Sequence, residues 1–186
     1  MRTFKAPLIA ALVAILVLPS AASAHVKVTV SAAPTCSVLL NVADGSTTFE
    51  LDFPHPTIGK QAFHFDAEHD NFARKIAPAR TFGFMRDVEK LRAAGLARGG
   101  SVENCIVLDE RGVVNGPLRF RDEFVRHKIL DLYGDLALIG RPVVGEITAH
   151  RAGHALHSRF VAKVLAMAAM TEEGLDSAAS SETVFA

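Results

Sequence analysis

Apolar and polar residues alternate along several short stretches of this 186-residue chain. A period of two is typical of strands that bury one face. Residues 25–45 begin with such a stretch, which predicts a linker or a short strand. Residues 47–53 and 61–66 alternate again, and the proline and glycine residues between them predict a hairpin. Further strands are predicted at 104–109, with 112–115 as a candidate partner, and at 143–150.

The spacing of apolar residues changes to a helical period elsewhere in the chain. It predicts helices at 69–76, 84–94, 123–138 and 153–170. Asp66 or Asp70 is placed to cap the first helix, and Asp122 to cap the third. Strands interspersed with helices predict an α+β fold, a two-layer sandwich of helices on a mostly antiparallel sheet over residues 46–170. The segment 171–186 is rich in serine, alanine and glutamate and is predicted to be a mobile tail.

The N-terminus combines a basic start with an apolar run. Arg2 and Lys5 lead into the apolar residues 6–19, and small residues fill most of 20–24. This order is that of a secretory signal peptide cut after Ala24. A retained membrane anchor is the alternative, although the run is shorter than the roughly 20 residues that span a bilayer.

Composition narrows the class of protein. Twenty basic residues balance twenty acidic ones, and 49% of the residues are hydrophobic. A balanced charge carries no signature of polyanion binding, so we expect no nucleic-acid partner. The two cysteines, Cys36 and Cys105, do not make a disulfide framework or a cysteine-based zinc site.

Three polar side chains recur at four-residue steps in the helix predicted at 123–138. His127, Asp131 and Asp135 therefore share one helix face. An imidazole and a carboxylate one turn apart suit a divalent metal, because both can reach one ion from a rigid backbone. The second carboxylate could orient a ligand or a catalytic group. The alternative is a row of surface polar residues with no ligand.

Further candidates for chemistry lie outside that helix face. His154 follows a predicted strand and opens a helix, where it could act as a general acid or base tuned by Asp135. Thr81 could donate a hydrogen bond to an oxyanion, and Phe82 could lie against a sugar ring or acyl chain. Lys128 could bind phosphate. The structural alternatives are a helix-start histidine, an N-cap threonine before core aromatics, and a solvated lysine.

Several motifs occur together in the order of one known family. They are Ala79-Arg-Thr-Phe-Gly-Phe-Met85, Gly95-Leu-Ala-Arg-Gly-Gly-Ser-Val-Glu-Asn104, Asp122-Glu-Phe-Val-Arg-His-Lys-Ile-Leu-Asp131, Gly134-Asp135 and Gly153-His-Ala-Leu156. The chain resembles, over about residues 46–168, the C-terminal domain of UDP-3-O-acyl-N-acetylglucosamine deacetylase. That family is a zinc amidase that commits Gram-negative bacteria to lipid A synthesis.

The resemblance implies a role for His127, Asp131 and Asp135 on the shared helix face, and for His154. His127 and Asp131 match two of three zinc ligands, and zinc is the implied cofactor. Asp135 matches the carboxylate that supports the catalytic histidine. His154 matches that histidine, which acts as a general acid and stabilises charge at the tetrahedral stage.

The resemblance also implies a substrate, an acylated UDP-N-acetylglucosamine. Thr81 matches the residue that hydrogen-bonds the developing oxyanion. Phe82 and Lys128 match residues that contact the sugar and the nucleotide diphosphate. Residues 84–115 match an insert that forms a hydrophobic passage for the acyl chain.

The chain departs from the family pattern in its first part. The family has a first domain that supplies the third zinc ligand, a histidine beside the glutamate that is the general base, and residues 1–45 carry no such pattern. One expectation is that a first domain is encoded upstream. Another is that the chain associates with itself through exposed apolar surface. The alternative function is a non-catalytic remnant that binds metal or acyl-sugar nucleotide. The family implies a cytoplasmic protein, whereas the signal-like segment 1–24 implies export. His157 stands where the family prefers asparagine.

Overall fold

The computed structural model describes residues 28–31, 36–41, 45–95, 98–101, 103–141, 143 and 145–182, with side chains described as far as residue 170. The signal-like segment predicted at 1–24 lies outside these residues. Among the helices that are described, none combines the length and the hydropathy needed to cross a bilayer.

Five strands form the main sheet. They are β1 Val28–Ser31, β2 Ser37–Asn41, β3 Ser46–Phe53, β4 Gly59–Asp66 and β7 Glu146–His150. Their order across the sheet is β1-β2-β7-β3-β4, and every pair is antiparallel except β3 with β7. The predicted hairpin is confirmed as β3 and β4. Residues 25–45, predicted as a linker or short strand, contain both β1 and β2 of this sheet.

A second, smaller sheet pairs two strands in parallel. These are β5 Thr81–Phe84 and β6 Cys105–Leu108, with Thr81 opposite Cys105. Residue Val113 bridges back to Leu108, as the prediction for 112–115 proposed. The alternative interpretation of Thr81 as an N-cap is wrong, because residues 81–84 are extended and the next helix begins at Met85.

The helices lie where their periodicity predicts, with shifted ends. They are α1 Phe72–Lys75, α2 Met85–Ala93, α3 Glu123–Leu136, continued by a 3-10 turn Ala137–Ile139, and α4 His154–Glu182. The predicted helix at 69–76 is thus a single turn. The helix predicted at 153–170 continues to Glu182, so part of the segment predicted as a mobile tail, 171–186, is helical. Residues 183–186 lie outside the described residues.

Two of the predicted helix caps are wrong. The side chain of Asn71, rather than Asp66 or Asp70, caps α1 by accepting a hydrogen bond from the backbone of Arg74. Asp122 occupies the N-cap position of α3 but makes no side-chain cap bond. Its carboxylate instead accepts bonds of 2.6 and 3.1 Å from the guanidinium of Arg126. A two-point, charge-assisted pair outcompetes a bond to one backbone amide.

The core lies between one face of the main sheet and two helices. Val30, Val38, Ala149 and Phe49 stand opposite one another across four neighbouring strands, and all are buried. Helix α3 packs on β3 and β4, and α4 packs on β1 and β2. The helices contribute fully buried side chains such as Phe124, Ile129, Leu132 and Phe160. The predicted α+β sandwich with a mostly antiparallel sheet is therefore confirmed.

A buried ion pair ties the chain before β5 to the start of α3. The Glu123 side chain is fully buried, and its Oε1 accepts bonds from the Arg80 backbone amide at 3.0 Å and from Arg80 Nε at 2.9 Å. Its Oε2 accepts from Arg80 Nη2 at 3.1 Å and from the Arg119 amide at 2.5 Å. Burial opposes ionisation, but these donors hold the pKa of Glu123 below its usual value. The carboxylate therefore stays charged at neutral pH.

We expect Glu123→Ala to destabilise the fold by about 3–5 kcal/mol, because it leaves the Arg80 guanidinium buried without its counter-charge. The Arg80 side chain is only 9% exposed. The free energy of unfolding in urea measures the change. Glu89→Ala, at an exposed position of α2, is the matched control, with an expected change within about 0.5 kcal/mol. Equal effects of the two substitutions would contradict this assignment.

Candidate catalytic and metal site

The polar face predicted on α3 is present. His127 and Asp131 lie one turn apart, with 3.2 Å between His127 Nε2 and Asp131 Oδ1. Each of these side chains is 13% exposed. The pair is therefore largely shielded from solvent, with His127 Nε2 and Asp131 Oδ1 next to each other.

A backbone carbonyl sets the orientation of the His127 ring. His127 Nδ1 lies 3.1 Å from the carbonyl oxygen of Ala79, which can only accept a hydrogen bond. Nδ1 is consequently the donor to this carbonyl, and Nε2 is the atom that faces Asp131 and can offer a lone pair to a metal once it carries no proton. Ala79 directly precedes Arg80, so the buried pair of Arg80 with Glu123 holds this carbonyl in place.

Asp131 is charged despite its burial. Burial opposes its ionisation, but the hydrogen bond with His127 and the positive charge of Lys128 hold the pKa of Asp131 well below its usual range. Lys128 Nζ donates to Asp131 Oδ2 at 2.9 Å and lies 5.9 Å from the centre of the Phe82 ring. The structure thus places Lys128 on Asp131, and its predicted contact with a nucleotide diphosphate stays a prediction.

One carboxylate oxygen of Asp135 accepts hydrogen bonds from two imidazole rings. Its Oδ2 lies 2.7 Å from His154 Nδ1 and 2.8 Å from His157 Nδ1. His154 is 66% exposed, and its Nε2 lies 3.7 Å from Asp131 Oδ1. The predicted partnership of His154 with Asp135 is present, and His154 also reaches Asp131 on the same face of α3.

A strained turn delivers His154 to this position. Arg151, between β7 and α4, has a left-handed backbone with φ of 47°, which is costly for a residue other than glycine. Its amide donates to the Glu50 carbonyl at 2.8 Å, which holds the turn against β3. Helix α4 then begins at His154 itself, beside Asp131 and Asp135 in the C-terminal half of α3.

The residues on α3 fit a zinc ion. Ligands bonded at about 2.0–2.1 Å around tetrahedral zinc are about 3.3 Å apart. His127 Nε2 and Asp131 Oδ1 have nearly this separation. A second group, Asp135, His154 and His157, also has its potential ligand atoms within 4.8 Å of one another. In that group both histidine Nδ1 atoms lie within hydrogen-bond distance of Asp135 Oδ2.

Thr81 and Phe82 stand at the start of β5, two and three residues beyond the carbonyl that holds His127. Thr81 is exposed. The Phe82 ring packs edge-on against Phe124, with 5.1 Å between ring centres, and against Phe53 at 6.1 Å. The core-aromatic interpretation of Phe82 is thus confirmed. The predicted roles of both residues towards an oxyanion and a sugar stay predictions.

Two parts of the site were missed by sequence reasoning. The carbonyl of Ala79 has no side-chain signal that could reveal it. His157 was noticed only as a departure from the asparagine of the family, and its position three residues after His154 on one helix face was the signal available.

Comparison with known proteins now bears on this site. Residues 19–166 match the LpxC family model, described as UDP-3-O-acyl N-acetylglycosamine deacetylase. A deacetylase of that function from Myxococcus xanthus is 59% identical over 116 residues, which is 62% of this chain and 37% of the relative. One from Anaeromyxobacter sp. strain Fw109-5 is 52% identical over 129 residues, or 68% of this chain and 42% of the relative.

A more divergent relative has the same described function. The UDP-3-O-acyl-N-acetylglucosamine deacetylase of Syntrophus aciditrophicus is 42% identical over 139 residues, which is 74% of this chain and 44% of the relative. The chain therefore spans about two fifths of the length of the curated relatives that it matches.

The buried histidine of this site should make stability depend on pH. Burial lowers the pKa of His157, although its bond to Asp135 opposes that shift. The unfolded chain takes up a proton at about pH 6.5 that folded His157 refuses, so stability should fall as pH decreases below about 6.5. His157→Asn removes this site of protonation and should reduce that loss. Urea unfolding between about pH 7.5 and 5.5 measures it.

His69→Asn is the control, because its effect should have the opposite sign. The exposed His69 ring bonds to Asp66, which raises the pKa of His69. The bond between His69 and Asp66 therefore adds to the stability of the fold below about pH 6.5, and this stabilisation is lost as pH rises. His69→Asn should therefore weaken the fold on the acid side, and a parallel response of the two variants would contradict the assignment.

Proposed function

Because the chain belongs to the UDP-3-O-acyl-N-acetylglucosamine deacetylase family, matched over residues 19–166, we propose that it functions in zinc-dependent deacetylation of an acylated UDP-N-acetylglucosamine in lipid A synthesis. The observation that carries the proposal is the meeting of His127, Asp131, Asp135 and His154 within a connected set of contacts. The family match extends through every one of these residues.

His127 and Asp131 are the proposed holders of the zinc ion. A neutral imidazole with its lone pair on Nε2 and an ionised carboxylate are the protonation states that zinc ligands require. The Ala79 carbonyl accepts from His127 Nδ1 and so leaves Nε2 as the nitrogen for a metal, and Lys128 stabilises the Asp131 charge. When bound, zinc supplies a polarised substrate carbonyl and a water of lowered pKa.

His154 is the proposed general acid for the amide. Its exposed ring is held through Nδ1 by Asp135, so Nε2 is the end that can exchange a proton with a substrate. Protonation of the departing nitrogen by Nε2 lets the amide C–N bond break with the electron pair leaving on nitrogen.

Substrate contacts follow from the residues beside this centre. We assign the Thr81 hydroxyl, exposed at the start of β5, to the oxyanion, and the partly buried Phe82 ring to the sugar. Lys128 would have to leave Asp131 in part to meet a diphosphate. Phe53 and Phe84 stack at 5.5 Å beyond Phe82 and extend an apolar surface suited to an acyl chain.

We expect the chain to bind zinc and His127→Ala and Asp131→Ala to lose that binding, because each removes a donor atom that the backbone holds ready. Equilibrium dialysis with zinc measures the affinity. His64→Ala, at an exposed position of β4, is the matched control and should bind zinc like the unchanged chain. Zinc affinity that survives both α3 substitutions would refute the proposed ligand pair.

We expect His154→Ala to slow acetate release from UDP-3-O-acyl-N-acetylglucosamine by about 10²–10⁴-fold, the usual contribution of a general acid. Zinc affinity should persist, because His154 is not a proposed ligand. Ser158→Ala, one turn along the exposed side of α4, is the control and should retain turnover. Zinc binding by the unchanged chain without any acetate release would favour a binding module over an enzyme.

A further inference from the structure

Two histidines of α4 converge on a single oxygen atom. His154 Nδ1 and His157 Nδ1 lie 2.7 and 2.8 Å from Asp135 Oδ2. The two rings are 6.1 Å apart between centres, with 76° between their planes. An ionised carboxylate has no proton to donate, so each ring must carry its proton on Nδ1. One oxygen thus determines the tautomer of both rings.

We propose that His157 is a positioning residue, which holds Asp135 so that its Oδ2 keeps His154 in the Nδ1–H tautomer. Nε2 of His154 is then the ring nitrogen on the side of Asp131, 3.7 Å from its Oδ1. The proton transfer assigned to Nε2 rests on the proposed function. The positioning itself is a property of the three side chains.

The side chains of His154, Asp135 and His157 differ in solvent exposure, and the most buried of them is the one that can fix the positions of the other two. His154 is 66% exposed and Asp135 is 17% exposed, whereas His157 has no exposed side-chain surface. The His157 ring meets the fully buried Phe49 edge-on, with 6.3 Å between centres and 88° between planes. Close packing denies this ring the rotation that is open to His154. His157 is therefore the rigid member of the group.

The second ring nitrogen of His157 supports the same arrangement. Nε2 of His157 is buried and has no hydrogen-bond partner among the described residues. A buried N–H without an acceptor is rarer and costlier than a buried lone pair without a donor. The proton is thus better placed on Nδ1, where Asp135 accepts it. An unsatisfied atom is retained in the core because the other nitrogen holds the carboxylate.

Asparagine at position 157 offers a conservative substitution. Its side-chain amide nitrogen can occupy nearly the place of the imidazole Nδ1 and donate one N–H to Asp135. Leucine fills the space without a donor. His157→Asn should therefore preserve the effect on His154, whereas His157→Leu should remove it.

The test is the tautomer of His154, observed by NMR of the full chain labelled with ¹⁵N in its histidines. The unchanged chain should show His154 mainly as Nδ1–H. His157→Leu should lose that preference, because Asp135 gains freedom to leave the ring, and His157→Asn should restore it. A folded His157→Leu protein with an unchanged His154 tautomer would overturn the proposal, as would failure of asparagine to restore it.

The unchanged chain provides a second measurement that does not depend on the leucine variant folding. Both His154 and His157 should have a proton on Nδ1, and that of His157 should exchange slowly with solvent. A His157 with its proton on Nε2 would overturn the proposal. Neither measurement needs turnover or zinc, so loss of the proposed activity would leave this result unaffected, and the reverse is equally true.

Discussion

The buried carboxylate of Glu123 is the contact on which the site depends. It accepts from Arg80 at both its backbone and its guanidinium, and it lies at the first residue of α3, the helix that carries His127 and Asp131. Two elements that are distant along the chain thereby become one rigid unit. The Ala79 carbonyl, next to Arg80, can then hold the ring of His127 at a defined angle. Removing one partner would leave a buried charge unpaired, so the arrangement is maintained as a whole.

The order of strands in the sheet brings His154 and His157 of α4 next to Asp131 and Asp135 of α3. Strand β7, the last in sequence, lies between β2 and β3 in the middle of the sheet. The turn at Arg151 leads directly from it into α4, which packs beside α3. His154 and His157 therefore meet the same face of α3 that carries Asp131 and Asp135. A strand at the sheet edge would have started α4 too far from that face.

The two aspartates of α3, Asp131 and Asp135, have different charged and polar neighbours. Asp131 is stabilised by the Lys128 ammonium and faces Nε2 of His127, which suits a metal ligand. Asp135 accepts only imidazole N–H groups in the contacts described, which suits the orientation of a proton-transferring ring. One turn of helix separates these two environments. The chain belongs to the deacetylase family and spans about two fifths of the length of its curated relatives.

The sequence by itself determined the α+β class, the β3–β4 hairpin and the common face of His127, Asp131 and Asp135. Helical and strand periods are local, so the residues that share a face can be read from spacing. Only the tertiary structure decided that Glu123 would bind Arg80, 43 residues away, and that His157 would share Asp135 with His154. Contacts between distant elements depend on sheet order and helix packing, and no local period encodes them.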